Sequence, residues 1–183
     1  MTTFLASLDA SVLETLYAHR ALATTKIFIS ISELGGAFFI FGLAVCVGLY
    51  LLLRCRYVYL AGLVVSVVGS AGAVLAIKSL VHRARPDLVF QAYTETGFSF
   101  PSAHATLASV LYGFCIYLAW RTIPAGPWRI AATILLAVLI AAIAFSRMYL
   151  GVHYMTDVLA GLVLGGLFAW IGSVVVKKLE QRD

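Results

Sequence analysis

Five apolar runs, each near the length needed to cross a bilayer, decide what this chain can fold into. They cover residues 35–53, 58–77, 103–120, 130–145 and 158–176. Inside hydrocarbon only helices and closed barrels satisfy their own backbone groups, and a spanning helix takes about 20 mostly apolar residues. The runs are continuous rather than alternating, so the predicted fold is all-α: a polytopic transmembrane helical bundle of about five spanning helices, forming a single domain over residues 1–183. Only 11% of the residues are charged and 62% are hydrophobic. A soluble domain carries about 25% charge, so lipid is the expected solvent.

Residues 1–32 have a different pattern. Leu5, Leu8, Val12 and Leu16 recur at three- and four-residue spacing, with Asp9, Ser11 and Thr15 between them. That predicts an amphipathic N-terminal helix, lying either in the membrane interface or on the bundle. A secretory signal is not expected, because the segment lacks a basic start and Asp9, Glu14, His19 and Arg20 interrupt any apolar stretch. Cys46 and Cys115 sit inside apolar runs and Cys55 between two arginines, with neither disulfide nor zinc spacing.

The connections set the topology. Arg54 and Arg56 form a short turn, so the first two crossings make a helical hairpin. Residues 87–100 mix Gln91, Thr94, Glu95, Thr96 and Gly97 with aromatics and read as a long loop, after which Pro101 is expected in the first turn of the third crossing. Arg54, Arg56, Arg121, Arg129, Lys177, Lys178 and Arg182 fall on one side, which the positive-inside rule makes cytoplasmic, the C-terminus included. Glycines such as Gly161 and Gly165 permit close helix approach.

On the opposite side the chain keeps its unusual polar residues, in the stretches 78–86, 101–104 and 146–157. Lys78, Arg85 and Arg147 place cations around one poorly hydrated location, with Asp157, Asp87 and Glu95 as the nearby acids. Such a site is short of counter-charge and suits a phosphoryl group. Ser102 and the amides of Ala103 and His104 open a helix, where free N–H groups and the helix dipole also favour phosphate. His153 and Asp157 are four residues apart, on one face if the segment is helical. The carboxylate then holds one ring nitrogen and leaves the other as nucleophile or base, while His104 supplies a second imidazole for acid chemistry. No carboxylate cluster supports a metal here, and no cofactor is expected. His19 and His82 have no such company.

In order and spacing, K-x6-R-P from Lys78, P-S-x-H from Pro101 and S-R-x5-H-x3-D from Ser146 resemble the signature of the membrane-bound type 2 phosphatidic acid phosphatases, the lipid phosphate phosphatase superfamily. The resemblance implies metal-independent hydrolysis of a lipid phosphomonoester or pyrophosphate through a phosphohistidine on His153. It further implies that Asp157 orients that histidine, that His104 is the general acid, and that Lys78, Arg85, Ser102, Ala103 and Arg147 bind the phosphate. Membrane lipids and a phosphorylated lipid are then the partners, with no nucleic acid and no obligate protein partner, and the setting is a bacterial-type inner membrane with an outward-facing site. Two departures stand out: the family usually has glycine at the position of Ala103, and many relatives have six crossings.

Two other readings keep part of this pattern. A lipid phosphotransferase would use the same site with a different acceptor. A transporter, channel or haem-binding bundle would use His104 and His153 as pore or axial ligands, but it has no need of the His153–Asp157 spacing or of converging cations.

Overall fold

The computed structural model describes residues 2–181, and among them seven helices and no strand. Arg182, counted above with the basic end, lies outside the described residues. The helices are α1 (Thr2–Ala18), α2 (Leu22–Glu33), α3 (Ala37–Leu53), α4 (Tyr57–Val81), α5 (Ala103–Thr122), α6 (Pro127–Tyr149) and α7 (Met155–Glu180).

Helices α4 to α7 are each long and apolar enough to span, and α2 with α3, a pair bent by 41°, bring the number to five when counted as one span. The expected first span at 35–53 corresponds to α3, which α2 precedes at an angle across a short break. Gly35 and Gly36 stand at the break and cannot hold a straight helix firmly. The last two spans also run further than their apolar runs. α6 begins at Pro127, a residue suited to a helix start, and carries on through Ser146 and Arg147. Pro101 stands before the first turn, because Ser102 is the N-cap of α5.

Helix α5 is the inner element. Just over half of its span is buried, 56%, and it is the least apolar of the four long spans. A helix facing protein rather than lipid can carry Ser102, Thr106 and Ser109 on its inner surface. Leu107, Leu111 and Phe114 of α5 meet Ile40 of α3, Leu63 and Val67 of α4, Ile143 of α6 and Val176 of α7 in one core. Without a hydrophobic driving force between lipid and helix, closeness of packing matters most. Gly161 and Gly165 provide it: a Cβ at either would stand 2.7 Å from the Ser102 carbonyl or 2.4 Å from that of Thr106. The outward surface is as apolar as the core, with Phe38 98% exposed, and the protein is an integral membrane protein.

The N-terminal region forms two helices instead of one. Leu13 and Asp9 turn α1 toward the bundle while Phe4 and Leu5 stay exposed. Phe28 of α2 packs on Phe145 and Tyr149 of α6. At the basic end, Glu180 accepts from Arg121 (2.6 Å) and Tyr59 (2.9 Å), tying α7 to α5 and α4. The opposite end gathers the last turns of α4 and α6, the first turns of α5 and α7, and the connection 82–102.

Candidate active site

Ser146 and Arg147 occupy the end of α6, and a tight turn then carries the chain through His153 into α7. The turn depends on Gly151, whose φ of +69° is a left-handed conformation and where a Cβ would fall 2.0 Å from the Phe90 carbonyl oxygen. His153 therefore precedes α7, whose N-cap is Tyr154, and does not share a helix face with Asp157 as its spacing suggests. The two still meet because Asp157 lies in the first helical turn and folds back, accepting from the Tyr154 N–H at 2.9 Å.

The approach between them is not a direct hydrogen bond. His153 Nδ1 and Asp157 Oδ2 are 3.6 Å apart. Ser99 fills the step: its Oγ donates to Asp157 Oδ2 at 2.5 Å and lies 3.3 Å from His153 Nδ1. Arg83 donates to the other carboxylate oxygen, Oδ1, at 2.6 Å. Burial pushes His153 down to about 4, with Asp157 opposing and Arg147 and Arg85 adding to the shift. At neutral pH the ring is uncharged, and with Nδ1–H turned toward Ser99 and Asp157, Nε2 carries the lone pair. That nitrogen accepts from Arg85 Nη1 at 3.1 Å.

The expected phosphate-binding residues converge on the same place. Arg85 also donates to the carbonyls of Val152, Gly97 and Thr96. Arg147 is fully buried, donating to Ser32 Oγ (2.5 Å) and Tyr93 Oη (2.6 Å). Lys78 donates to the Phe98 carbonyl. Ser102 is buried, donates its N–H to the Asp157 carbonyl at 3.0 Å and caps the Ala105 N–H at 3.5 Å. Ala103 and His104 follow in the first turn of α5, where backbone N–H groups have no intrahelical acceptor. His104 lies in the electrostatic field of Arg147, Glu95, His153 and Arg85.

Counter-charge is more abundant than the sequence suggests. Glu95 bridges Arg85 (3.2 Å) and Arg147. Burial alone would raise its pKa, but Arg147 and Arg85 outweigh that and hold the carboxyl below the usual range. Asp9 of α1 adds an acid that was not expected at the site, 2.7 Å from Arg83. Asp87, by contrast, takes part in no ion pair among the described residues. Ser32, Tyr93, Ser99, Arg83 and Asp9 are thus site residues that spacing did not single out. The clearest signal was Asp9, an acid one helical turn before the inward Leu13. Among the described residues no group of three or more His, Cys, Asp or Glu could hold a metal ion.

Comparison with known proteins points one way. The family model of the PAP2 superfamily matches residues 59–181. Phosphatidylglycerophosphatase B of Bacillus subtilis is 32% identical over 106 residues, 57% of this chain and 52% of that protein. Decaprenylphosphoryl-5-phosphoribose phosphatase of Mycobacterium tuberculosis is 38% identical over 120 residues, 59% of this chain and 58% of that one. The chain spans about half the length of the curated relatives it matches. Over a longer stretch, the crystal structure of a transmembrane PAP2 type phosphatidylglycerolphosphate phosphatase from Bacillus subtilis superposes with a TM-score of 0.84 at 27% identity, covering 97% of this chain and 86% of that one.

Proposed function

Since the chain belongs to the PAP2 superfamily, we propose that it is a membrane lipid phosphatase in which His153 is the nucleophile. The substrate class is a lipid phosphomonoester or pyrophosphate, of the phosphatidic acid, phosphatidylglycerol phosphate or undecaprenyl pyrophosphate kind. The observation that carries this reading is the buried His153, its Nε2 turned to Arg85 while Nδ1 faces Ser99 and Asp157.

In the proposed reaction His153 Nε2 forms a bond to phosphorus as the phosphorus–oxygen bond to the lipid breaks, and His104 gives the departing oxygen its proton. Water then attacks the phosphohistidine while His104 takes back a proton from that water, the nitrogen–phosphorus bond breaks, and inorganic phosphate leaves. Arg85, Arg147, Lys78, Ser102 and the Ala103 amide hold the phosphoryl oxygens. Arg147 Nε, buried without a partner among the described residues, is a donor left over for one of them. To bind, the phosphoryl group takes the guanidinium donors that Glu95 and His153 now occupy.

A lipid rather than a soluble ester is supported by an apolar cleft of about 240 Å³ between α3, α4 and α5, lined by Phe41, Leu75 and Leu107 and reaching Ala103. An acyl or prenyl chain in that cleft would bring its head to the cations. Orientation follows from charge: the basic residues at the other end, from Arg54 to Lys178, favour the cytoplasmic side, which leaves the site outward-facing in a bacterial inner membrane and the C-terminus inside. The test is phosphate release by the purified protein from those lipids in EDTA, with label followed into inorganic phosphate or into an added lipid acceptor. Activity that requires added Mg²⁺, or full activity of His153→Ala, would overturn the reading. Label passing to the acceptor would make the protein a transferase.

A further inference from the structure

Helix α1 carries a carboxylate on its buried face. Asp9 is 2% exposed, and every contact it makes leads to the site. Its Oδ1 accepts from the Thr156 N–H at 3.0 Å, so α1 caps the first turn of α7 from outside. Its Oδ2 accepts from Thr156 Oγ1 at 2.6 Å and from Arg83 Nη2 at 2.7 Å. Arg83 Nη1 in turn donates to Thr156 Oγ1 at 2.7 Å and to Asp157 Oδ1 at 2.6 Å. One guanidinium therefore joins two carboxylates, one on the N-terminal helix and one beside the reacting histidine.

A simple anchor for α1 needs none of this. Leu13 is buried on the same helix, and Thr156 alone could satisfy an uncharged side chain at position 9. A buried carboxylate is costly unless paired, and here the pairing cation is shared with Asp157. Burial works against the charge on Arg83, but the hydrogen bond to Asp9 and the nearby Asp157 outweigh it, and the guanidinium stays firmly charged. Had Arg83 been given to Asp157 alone, the cluster beside His153 would be neutral; with Asp9 it keeps one net negative charge.

We propose that Asp9 and Arg83 are positioning residues for the reaction: they fix the carboxylate of Asp157 against Ser99 and His153, and together they set the net charge that His153 faces. The N-terminal helix then belongs to the catalytic apparatus as well as to the membrane interface. This inference rests on the reading of His153 as nucleophile. The other charged or titratable groups facing His153 are Arg85 and Glu95 of the 82–102 connection, Arg147 of α6 and His104 of α5, with Lys78 of α4 facing Asp157, all present unchanged in the variants that follow.

The experiment is the pH profile of kcat/KM for a short-chain phosphatidic acid, measured on full-length protein in detergent. Asp9→Asn removes a negative charge, so His153 holds its proton less readily and the acid limb moves to lower pH, by about one unit. Arg83→Gln removes a positive charge and moves the limb to higher pH by a similar amount. The double variant returns the limb toward its original place, while kcat falls about tenfold in each single variant with KM nearly constant. Asp9→Glu restores most of the rate. Leu13→Ala loosens α1 without touching a charge and leaves the limb where it was. If Asp9→Asn and Arg83→Gln lose activity with the limb unmoved, or moved the same way, the inference fails and the network is only an anchor. If His153→Ala stays active, the nucleophile reading itself fails, an outcome distinct from the first.

Discussion

The two sides of the site are built differently. Around the proposed nucleophile, His153, Ser99, Asp157, Arg83 and Asp9 form a continuous chain of contacts in which each polar group already has a partner. On the phosphate side, Arg85 and Arg147 are held by Glu95, by backbone carbonyls and by hydroxyls that a phosphoryl group would have to replace. The first side is preorganised around Nδ1 and the carboxylate, and attack by Nε2 asks only that Arg85 turn its donor from the ring to the phosphoryl group. The second is kept charged and in place by substitutes that substrate binding must remove. Changes on the nucleophile side should therefore lower kcat, and changes among the substitutes should act on binding.

The largest expected effect comes from His153 itself. His153→Ala should lose on the order of 10⁴-fold or more in kcat, and acid-labile labelled phosphoenzyme should disappear with it. In the unaltered protein the acid limb of kcat/KM, which reports the free enzyme, should fall toward about 4, where burial holds this imidazole, and not near the ordinary histidine value of about 6.5. A limb at the ordinary value would mean that the ring is more solvated than its burial allows. His104→Ala comes next, at roughly 10²- to 10⁴-fold for a natural lipid alcohol. With an activated aryl phosphate, whose leaving group needs no proton, the loss should shrink to a small factor. Equal losses on both substrates would remove His104 from the acid role.

Ser99 tests how far the closed side extends. If its hydroxyl is the step between Nδ1 and the carboxylate, Ser99→Ala should lower kcat by roughly 10- to 100-fold, the worth of a hydrogen bond to a charged group. KM should barely change, and Ser99→Thr should recover part of the rate. A loss confined to KM would place Ser99 with the phosphate-binding residues instead.

How much of this could be read beforehand depended on whether the cause was local. The spans were legible because a 20-residue apolar run has few other uses, and the body of α5 was legible because Ala103 to Trp120 is continuous, although Pro101, expected in its first turn, precedes the Ser102 cap. The break between α2 and α3 was less so, since two glycines in an apolar stretch read equally well as packing residues. Lys78, Arg85, Ser102, His104, Arg147, His153 and Asp157 stood out by type and spacing. Asp9 and Ser99 did not, because what makes them matter is a contact with Asp157 or Arg83 across 58 to 74 residues of sequence. Glu95 was visible as one of three acids near the cations; that it alone of the loop acids lies between two guanidiniums depends on how the 82–102 connection folds over the helix ends.

Glu95 is also where the comparison of the two sides is sharpest. Its carboxylate lies against both guanidiniums that are expected to take phosphate, and its side chain is 22% exposed, so a route out to solvent exists. An apparent affinity falls in proportion to the fraction of protein whose site is free, and a charged occupant lowers that fraction. Glu95→Gln keeps the shape and some hydrogen bonding but removes the charge that holds the group in place. Inorganic phosphate and vanadate should then inhibit about tenfold more tightly, with substrate KM lowered and kcat little altered. The opposite result has an equally definite meaning. If inhibition weakens, Glu95 is a brace that keeps Arg85 and Arg147 in position, and the phosphate side is as preorganised as the nucleophile side.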